Sequence, residues 1–277
     1  MITWMAASAW AGAWTRDVGQ VYAKAGADYY DAFAFVAPGQ SEEEAAGKYF
    51  GQQYGVYAET GVIPSGWRAH LSVGVPMVVG THTTTVRDVV GETDVRATTT
   101  RLGDLRAAAQ VALHPKAPVA LNVEVKVPLY RNGTVGGEYT NFAEIFPKPG
   151  DGQVDVTPMV FAGAAPWSGT FGELGLGWRF RTEAYVGWVT DLAFSDGLVF
   201  NGKVGHDFGR VIGVVGFDGT VSPNATEVTR QYVALGASGL VDIVKDHLAV
   251  EPRVGTEVWA LNASRGLSLG LGLSWRQ

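Results

Sequence analysis

The sequence predicts an all-β fold, a closed antiparallel transmembrane β-barrel of about 12 strands with short periplasmic turns and longer extracellular loops. Apolar and polar residues alternate with a period of two along most of the chain. No run of about 18 apolar residues could form a transmembrane helix. The 37 Gly, 12 Phe, 10 Tyr and 9 Trp, together with a mean hydropathy near zero, fit strands that face lipid on one side and a polar interior on the other.

The C-terminal segment shows the alternation most clearly. From Leu267 to Trp275 every odd position is apolar and every even position is Ser or Gly. Successive side chains of a strand point to opposite faces, so one face is apolar and the other is small and polar. Ser and Gly suit the wall of a tight lumen, in which neighbouring side chains need room.

Eleven further segments complete the predicted barrel. Clear alternation predicts strands over 67–75, 105–113, 119–129, 173–181 and 248–258, and weaker patterns predict strands near 19–31, 47–60, 152–164, 198–206, 210–218 and 227–240. An unpaired sheet edge cannot survive in hydrocarbon. We therefore expect the strand near 19–31 to pair with the C-terminal strand.

The predicted connections alternate in length, which is typical of outer-membrane barrels. Short connections fall near 61–66, 114–118, 165–169, 206–209 and 241–246. Long ones fall near 32–46, 81–100, 131–151, 184–197 and 219–226, with a shorter one at 260–265. We also expect Trp67, Trp178 and Trp275, near strand ends, to lie in aromatic girdles.

The first residues indicate export. Residues 1–13 are predicted to be a signal-peptide remnant, with small-x-small cleavage sites at Ala9–Ala11 and Ala11–Ala13, and residues 14–277 to be one barrel domain. The expected location is the outer membrane of a Gram-negative bacterium, with lipid and lipopolysaccharide as partners. The net charge of −6 is scattered, which argues against a nucleic-acid partner. The absence of Cys excludes disulfides and thiolate metal sites.

Charged residues are predicted to line the lumen. This pattern leaves two interpretations open: a water-filled passage with a selective lining, or an interior filled and stiffened by ion pairs, because buried charges must be paired or hydrated. Alternate residues of a strand point to the same face, and we call this rule parity. By parity the candidates that face the lumen are Lys24, Asp28, Glu59, Arg68, His70, Asp104, Arg106, Glu124, Lys126, Asp155, Arg179, Arg181, Glu251, Arg253 and Glu257.

No motif indicates an enzyme, a cofactor or a metal site. Of the five histidines, only His70 faces the predicted lumen, and none lies in a Ser/His/Asn or acid/His arrangement like those of barrel hydrolases. Phosphate-binding loops and zinc spacings are missing. The acidic residues at 42–44 and 88–94 are predicted to be solvated loop charges rather than a calcium site.

Several segments resemble one known family. The segments are Gly103–Leu105, Gly150–Pro158, Glu173–Phe180, Ala13–Thr15, Gly19–Tyr22 and Tyr57–Gly61. Together they are similar to the outer-membrane barrels called meta-pathway phenol-degradation proteins, distant relatives of fatty-acid and aromatic-hydrocarbon transporters. The resemblance implies a barrel that takes up small molecules. Those transporters have a folded hatch ahead of the first strand, and this sequence predicts none.

Two functions follow as hypotheses. The first is a passive channel or uptake protein for small molecules, including hydrophobic or aromatic ones. The alternative is a structural outer-membrane anchor of an envelope machine for secretion, adhesion or gliding motility, whose protein partners would dock on loops such as Thr81–Thr100.

Overall fold

A computed structural model describes residues 13–36, 48–63, 68–88, 91–130, 149–185, 194–226 and 229–277. No helix in these ranges is long and apolar enough to span a membrane. The described residues form thirteen strands: β1 (Val21–Val36), β2 (Lys48–Gly61), β3 (Ala69–Asp88), β4 (Gly91–Leu102), β5 (Asp104–Ala112), β6 (Val119–Pro128), β7 (Gln153–Trp167), β8 (Thr170–Tyr185), β9 (Gly197–Asp207), β10 (Val211–Val221), β11 (Gln231–Val244), β12 (Leu248–Leu261) and β13 (Ala263–Arg276).

The strands close into a barrel. Each strand pairs antiparallel with its sequence neighbours, except that β4 and β5 both pair with β3 and not with each other. β1 pairs with β13 from Tyr22 opposite Arg276 to Val36 opposite Ala263. The first strand therefore meets the last, and the backbone of both edges is satisfied, as hydrocarbon requires. The predicted closed barrel is confirmed, and each of the twelve predicted segments overlaps a strand.

The thirteenth strand arises because one side of the barrel is a broken strand. β5 pairs with the start of β3, and β4 pairs with the rest of β3 up to Asp88. The break lies at Gly103, which donates its N–H to the Pro76 carbonyl at 2.7 Å. Because proline has no N–H to offer a ladder, a bulge opposite Pro76 is expected. The barrel itself thus has twelve strand positions.

β3 and β4 form a hairpin, which shows that one predicted loop is wrong. The segment 81–100 was predicted to be a long Thr-rich loop, but most of it belongs to β3 and β4, whose pairing continues to Asp88 opposite Gly91. Threonine is β-branched and favours strands, so its abundance here indicates strand rather than loop. The connection near 260–265 is also shorter than predicted, because Asn262 alone joins β12 to β13.

The outer face is apolar. On β13, Leu269, Leu271 and Leu273 are 50%, 58% and 49% exposed, whereas Ser274 on the opposite face is fully buried. Trp275 is exposed on the outer face near the short-turn end, as a girdle residue would be. Several predictions fall outside the described residues. They concern Trp67, residues 1–12 of the predicted signal remnant, and most of the predicted loops at 32–46 and 131–151.

Candidate functional site: the barrel lumen

The inner face encloses a cavity of about 440 Å³. Fourteen ionisable acidic and basic side chains line it, in equal numbers of the two signs, so its wall has no formal excess charge. The acidic ones are Asp28, Asp104, Glu124, Asp151, Glu173, Asp218 and Glu257, and the basic ones are Arg106, Lys126, Arg179, Arg181, Lys203, Arg230 and Arg253.

Four charges on β1 and β12 meet across β13. One Arg253 nitrogen donates to both Asp28 oxygens at 2.9 Å, and Lys24 forms an ion pair with Glu251. All four side chains are nearly buried. Charges taken out of water are costly unless paired with good geometry, so these pairs make the closing seam of the barrel possible.

Glycines of β13 make room for these pairs. A Cβ at Gly270 would overlap Asp28 Oδ1 and lie 2.9 Å from Arg253 Nε, and one at Gly272 would lie 3.1 Å from Lys24 Cε. The charged side chains of β1 and β12 therefore reach each other over a strand with no inward side chain at these positions. This contact explains why small residues alternate with leucine in the C-terminal segment.

Tyrosines cap the inner carboxylates. A buried carboxylate is stabilised when a hydroxyl replaces a lost water, and five of them accept such a bond. The pairs are Tyr22 to Glu251 at 2.6 Å, Tyr30 to Glu257 at 3.0 Å, Tyr57 to Glu59 at 2.7 Å, Tyr130 to Asp104 at 2.9 Å and Tyr232 to Asp218 at 3.1 Å.

The residues ahead of β7 fold into the lumen. Asp151 is buried and contacts Lys126 Nζ at 2.6 Å and Arg181 at 2.8 Å, and Lys126 also lies 2.7 Å from Asp155. Burial alone would raise the pKa of the Asp151 carboxyl, but Lys126 and Arg181 hold this pKa well below its usual range. Asp151 is therefore ionised near neutral pH and narrows the extracellular side of the cavity.

Part of the lumen wall faces open space. Arg106 and Glu124 form an ion pair at 2.7 Å, yet their side chains are 43% and 31% exposed although both line the interior cavity. Arg179 and Arg230 line the same cavity and have no hydrogen-bond or ion-pair partner among the described residues. Contact with water or a solute would stabilise guanidinium groups placed in this way.

A short segment ahead of β1, residues 13–17, crosses the opposite end of the lumen; we call it the strap. Arg16 forms an ion pair with Glu59 on β2. The backbone N–H of Ala13 donates to Glu173 on β8 at 3.0 Å, and Trp14 packs edge-on against Phe171 with ring centroids 6.2 Å apart. The strap lies at the short-turn end, where β1 begins.

Apolar side chains surround the far end of the strap. Ala13 packs with Met159 and Phe161, and Phe171 joins a second cluster that contains Ile212, Val214, Leu240 and Ala249. The prediction of a polar inner face is wrong here. These side chains are covered by the strap and by one another, so they need not meet water. The sequence also predicted no folded hatch, but it gave no indication that residues 13–17 would enter the lumen.

Fourteen of the fifteen predicted lining residues lie on the inner face. Ten of them line the cavity: Asp28, His70, Asp104, Arg106, Glu124, Lys126, Arg179, Arg181, Arg253 and Glu257. Lys24, Glu59, Asp155 and Glu251 lie behind it in buried ion pairs. Arg68 is the exception: it pairs with Asp17 at 2.9 Å at the short-turn rim, and its side chain is 52% exposed.

Sequence reasoning missed several lining residues. Lys203 and Asp218 lie on the weakly patterned strands β9 and β10, and parity applied to those strands would have found them. Asp151 fell in a predicted loop, and Arg230 precedes β11 directly. Nothing local in the sequence marks Asp151 as inward-facing, because its position depends on ion pairs with distant strands.

The histidines form no site within the described residues. His70 is 1% exposed, and its Nδ1 has no hydrogen-bond partner. His114 accepts N–H bonds from Lys116 and Ala117 in its own turn. No group of three or more His, Asp or Glu side chains in the described ranges could hold a metal ion. The absence of enzymatic activity remains a prediction.

Comparison with known proteins relates the chain to others through its fold. No family model matches the sequence, and no curated protein does. The crystal structure of an outer-membrane channel from Pseudomonas putida F1 superposes with a TM-score of 0.69 over 95% of this chain and 97% of that one, at 10% identity. The chain has the fold of bacterial outer-membrane β-barrels.

Other solved barrels align less well. The monoaromatic hydrocarbon channel CymD gives a TM-score of 0.46 at 7% identity, over 95% of this chain and 89% of that one. The β domain of the Bordetella autotransporter BrkA gives a TM-score of 0.48 at 12% identity, over 94% of this chain and 100% of that domain. The finer resemblance to meta-pathway proteins stays a prediction.

Proposed function

We propose that this barrel is a passive channel that lets small molecules cross the outer membrane. The observation that carries the proposal is the open cavity inside the closed barrel, where Arg106 and Glu124 are well exposed although they lie in the interior. An interior filled and stiffened by ion pairs would leave these side chains buried. The fold shared with an outer-membrane channel supports the same function.

The lining suggests the kind of solute. The wall offers equal numbers of positive and negative groups, which favours neutral or weakly charged solutes over ions of one sign. Towards the short-turn end the inner face becomes apolar around Phe171 and Phe161. Small molecules with an apolar or aromatic part would fit a charged cavity followed by an apolar region, in line with the family resemblance.

The anchor hypothesis is not favoured. It relied partly on a long docking loop at Thr81–Thr100, most of which belongs to strands β3 and β4. It also relied on balanced lumen charges, but several of those charges face open space rather than pairing throughout. The Pseudomonas putida protein that shares this fold is an outer-membrane channel.

Planar-bilayer recordings of the purified barrel test the channel function. Stepwise conductance is expected, and a folded barrel that stays silent would contradict it. Ala108 and Ala109 provide a matched pair, since Ala108 lines the cavity and Ala109, its neighbour on β5, points to lipid. Ala108→Trp should lower the unitary conductance by filling the lumen, whereas Ala109→Trp should leave it unchanged.

A further inference from the structure

The strap connects opposite walls of the barrel. At one end the backbone carbonyl of Asp17 lies directly against Gly61 on β2. At the other end Ala13 and Trp14 lie against Gly163 on β7. In the strand order, β2 and β7 are separated by three strand positions one way round the barrel and seven the other. Residues 13–17 therefore bridge the lumen rather than follow its wall.

The wall is shaped to receive the strap. A Cβ at Gly61 would overlap the Asp17 carbonyl, and a Cβ at Gly163 would lie 2.8 Å from both the Ala13 Cβ and the Trp14 ring. A side chain at Gly61 would displace the strap backbone, whereas a small side chain at Gly163 would require the strap to shift only slightly. Both ends thus fit glycine-lined seats on different strands.

The two ends differ in how easily they can leave. Glu173, which accepts the Ala13 N–H, keeps Lys203 at 3.1 Å as a partner when the strap departs. Glu59 has a fully buried side chain, and Arg16 is its only cationic partner within the described part of the chain. Lifting the Arg16 end would strand a buried carboxylate, whereas lifting the Ala13 end would not.

We propose that the strap is a gate of the channel: it hinges near Arg16 and opens when Ala13 and Trp14 leave the wall formed by β7 and β8. This inference rests on the proposed channel function. In the closed state the strap contacts Phe161 and Glu173, two of the residues that line the 440 Å³ cavity. In the open state the apolar wall around Phe171 becomes part of the path.

An engineered disulfide tests the gate. The chain has no cysteine, so Ala13→Cys combined with Gly163→Cys supplies the only thiols. The Cβ separation of 2.8 Å needs to widen by about 1 Å to suit a disulfide. Because Ala13 belongs to the predicted signal remnant, the protein is refolded from the full chain, which retains this residue. Trp14 remains in the chain whichever of the two predicted cleavage sites is used. Oxidation should abolish conductance, reduction should restore it, and the single variant Ala13→Cys should respond to neither treatment.

Other outcomes separate the gate from the channel. Failure of the disulfide to form, or equal conductance in the oxidised and reduced states, would overturn the gate while leaving the channel intact. Silence of every variant, reduced forms included, would instead count against the channel itself. Independently, Trp14→Ala should raise the open fraction up to about tenfold, because the edge-on aromatic contact with Phe171 is lost. An unchanged open fraction would also contradict the gate.

Discussion

Replacing Gly270 with Ala should destabilise the barrel strongly although it adds only one methyl group. The new Cβ would overlap Asp28 Oδ1 and lie 2.9 Å from Arg253 Nε. Asp28 must then move, and both of its 2.9 Å bonds to Arg253 break. Removing one partner of a buried ion pair costs about 3–5 kcal/mol. Arg253 keeps Glu251 at 3.7 Å, so we expect a loss of about 3 kcal/mol.

The free energy of unfolding of the barrel, reconstituted in lipid vesicles and followed by tryptophan fluorescence in urea, measures this loss. Gly74→Ala is the matched control, because Gly74 also faces the lumen but its Cβ would make only ordinary contacts, with the Tyr57 ring at 3.4 Å and the Val56 carbonyl at 3.7 Å. In an Asp28→Ala background the overlapping oxygen is gone, so Gly270→Ala should cost little. A cost equal to that of Gly74→Ala, or an undiminished cost in that background, would refute the reasoning.

Three further predictions concern the lumen. The wild-type reversal potential in a KCl gradient should lie near zero. The double variant Arg179→Gln/Arg230→Gln should raise the ratio of cation to anion permeability about twofold. An unchanged reversal potential would mean that these two groups do not face the ion path. Asp151 should stabilise the barrel relative to Asp151→Asn above about pH 4, and the difference should fade at lower pH as the depressed pKa is reached; thermal unfolding at pH 7, 5 and 3 measures it, and fading already at pH 5 would contradict the pairing. Tyr22→Phe should cost about 1–3 kcal/mol of unfolding free energy by leaving a Glu251 oxygen without its hydroxyl partner, and a neutral result in urea unfolding would argue against the cap.

The fold could be predicted from the sequence because lipid imposes one strict requirement, that every spanning strand alternate and pair. Parity along β13 and β12 therefore identified inward residues such as Glu251 and Arg253 correctly. Parity says which way a side chain points but not what it contacts. The partnership of Lys24 with Glu251 depends on barrel closure and on small residues in a third strand, which no single segment encodes.

Features that break the alternation could not be read in the same way. The strap has no period, and its placement depends on Gly61 and Gly163, which lie far from it in sequence. The apolar inner residues Ile212 and Leu240 look like ordinary strand residues of either face. Their burial follows from contacts with other inward side chains, and only the assembled barrel supplies those contacts.

The hairpin of β3 and β4 has a consequence for what the cell shows to its surroundings. β3 has 20 residues, twice the number needed to traverse hydrocarbon. At about 3.3 Å per residue and a tilt near 40°, it rises about 50 Å along the membrane normal, against roughly 30 Å of hydrocarbon. The hydrogen-bonded pair of β3 and β4 therefore extends beyond the membrane on the extracellular side. The end of this ribbon, near Asp88 and Gly91, should therefore be accessible to antibodies or proteases added from outside the cell.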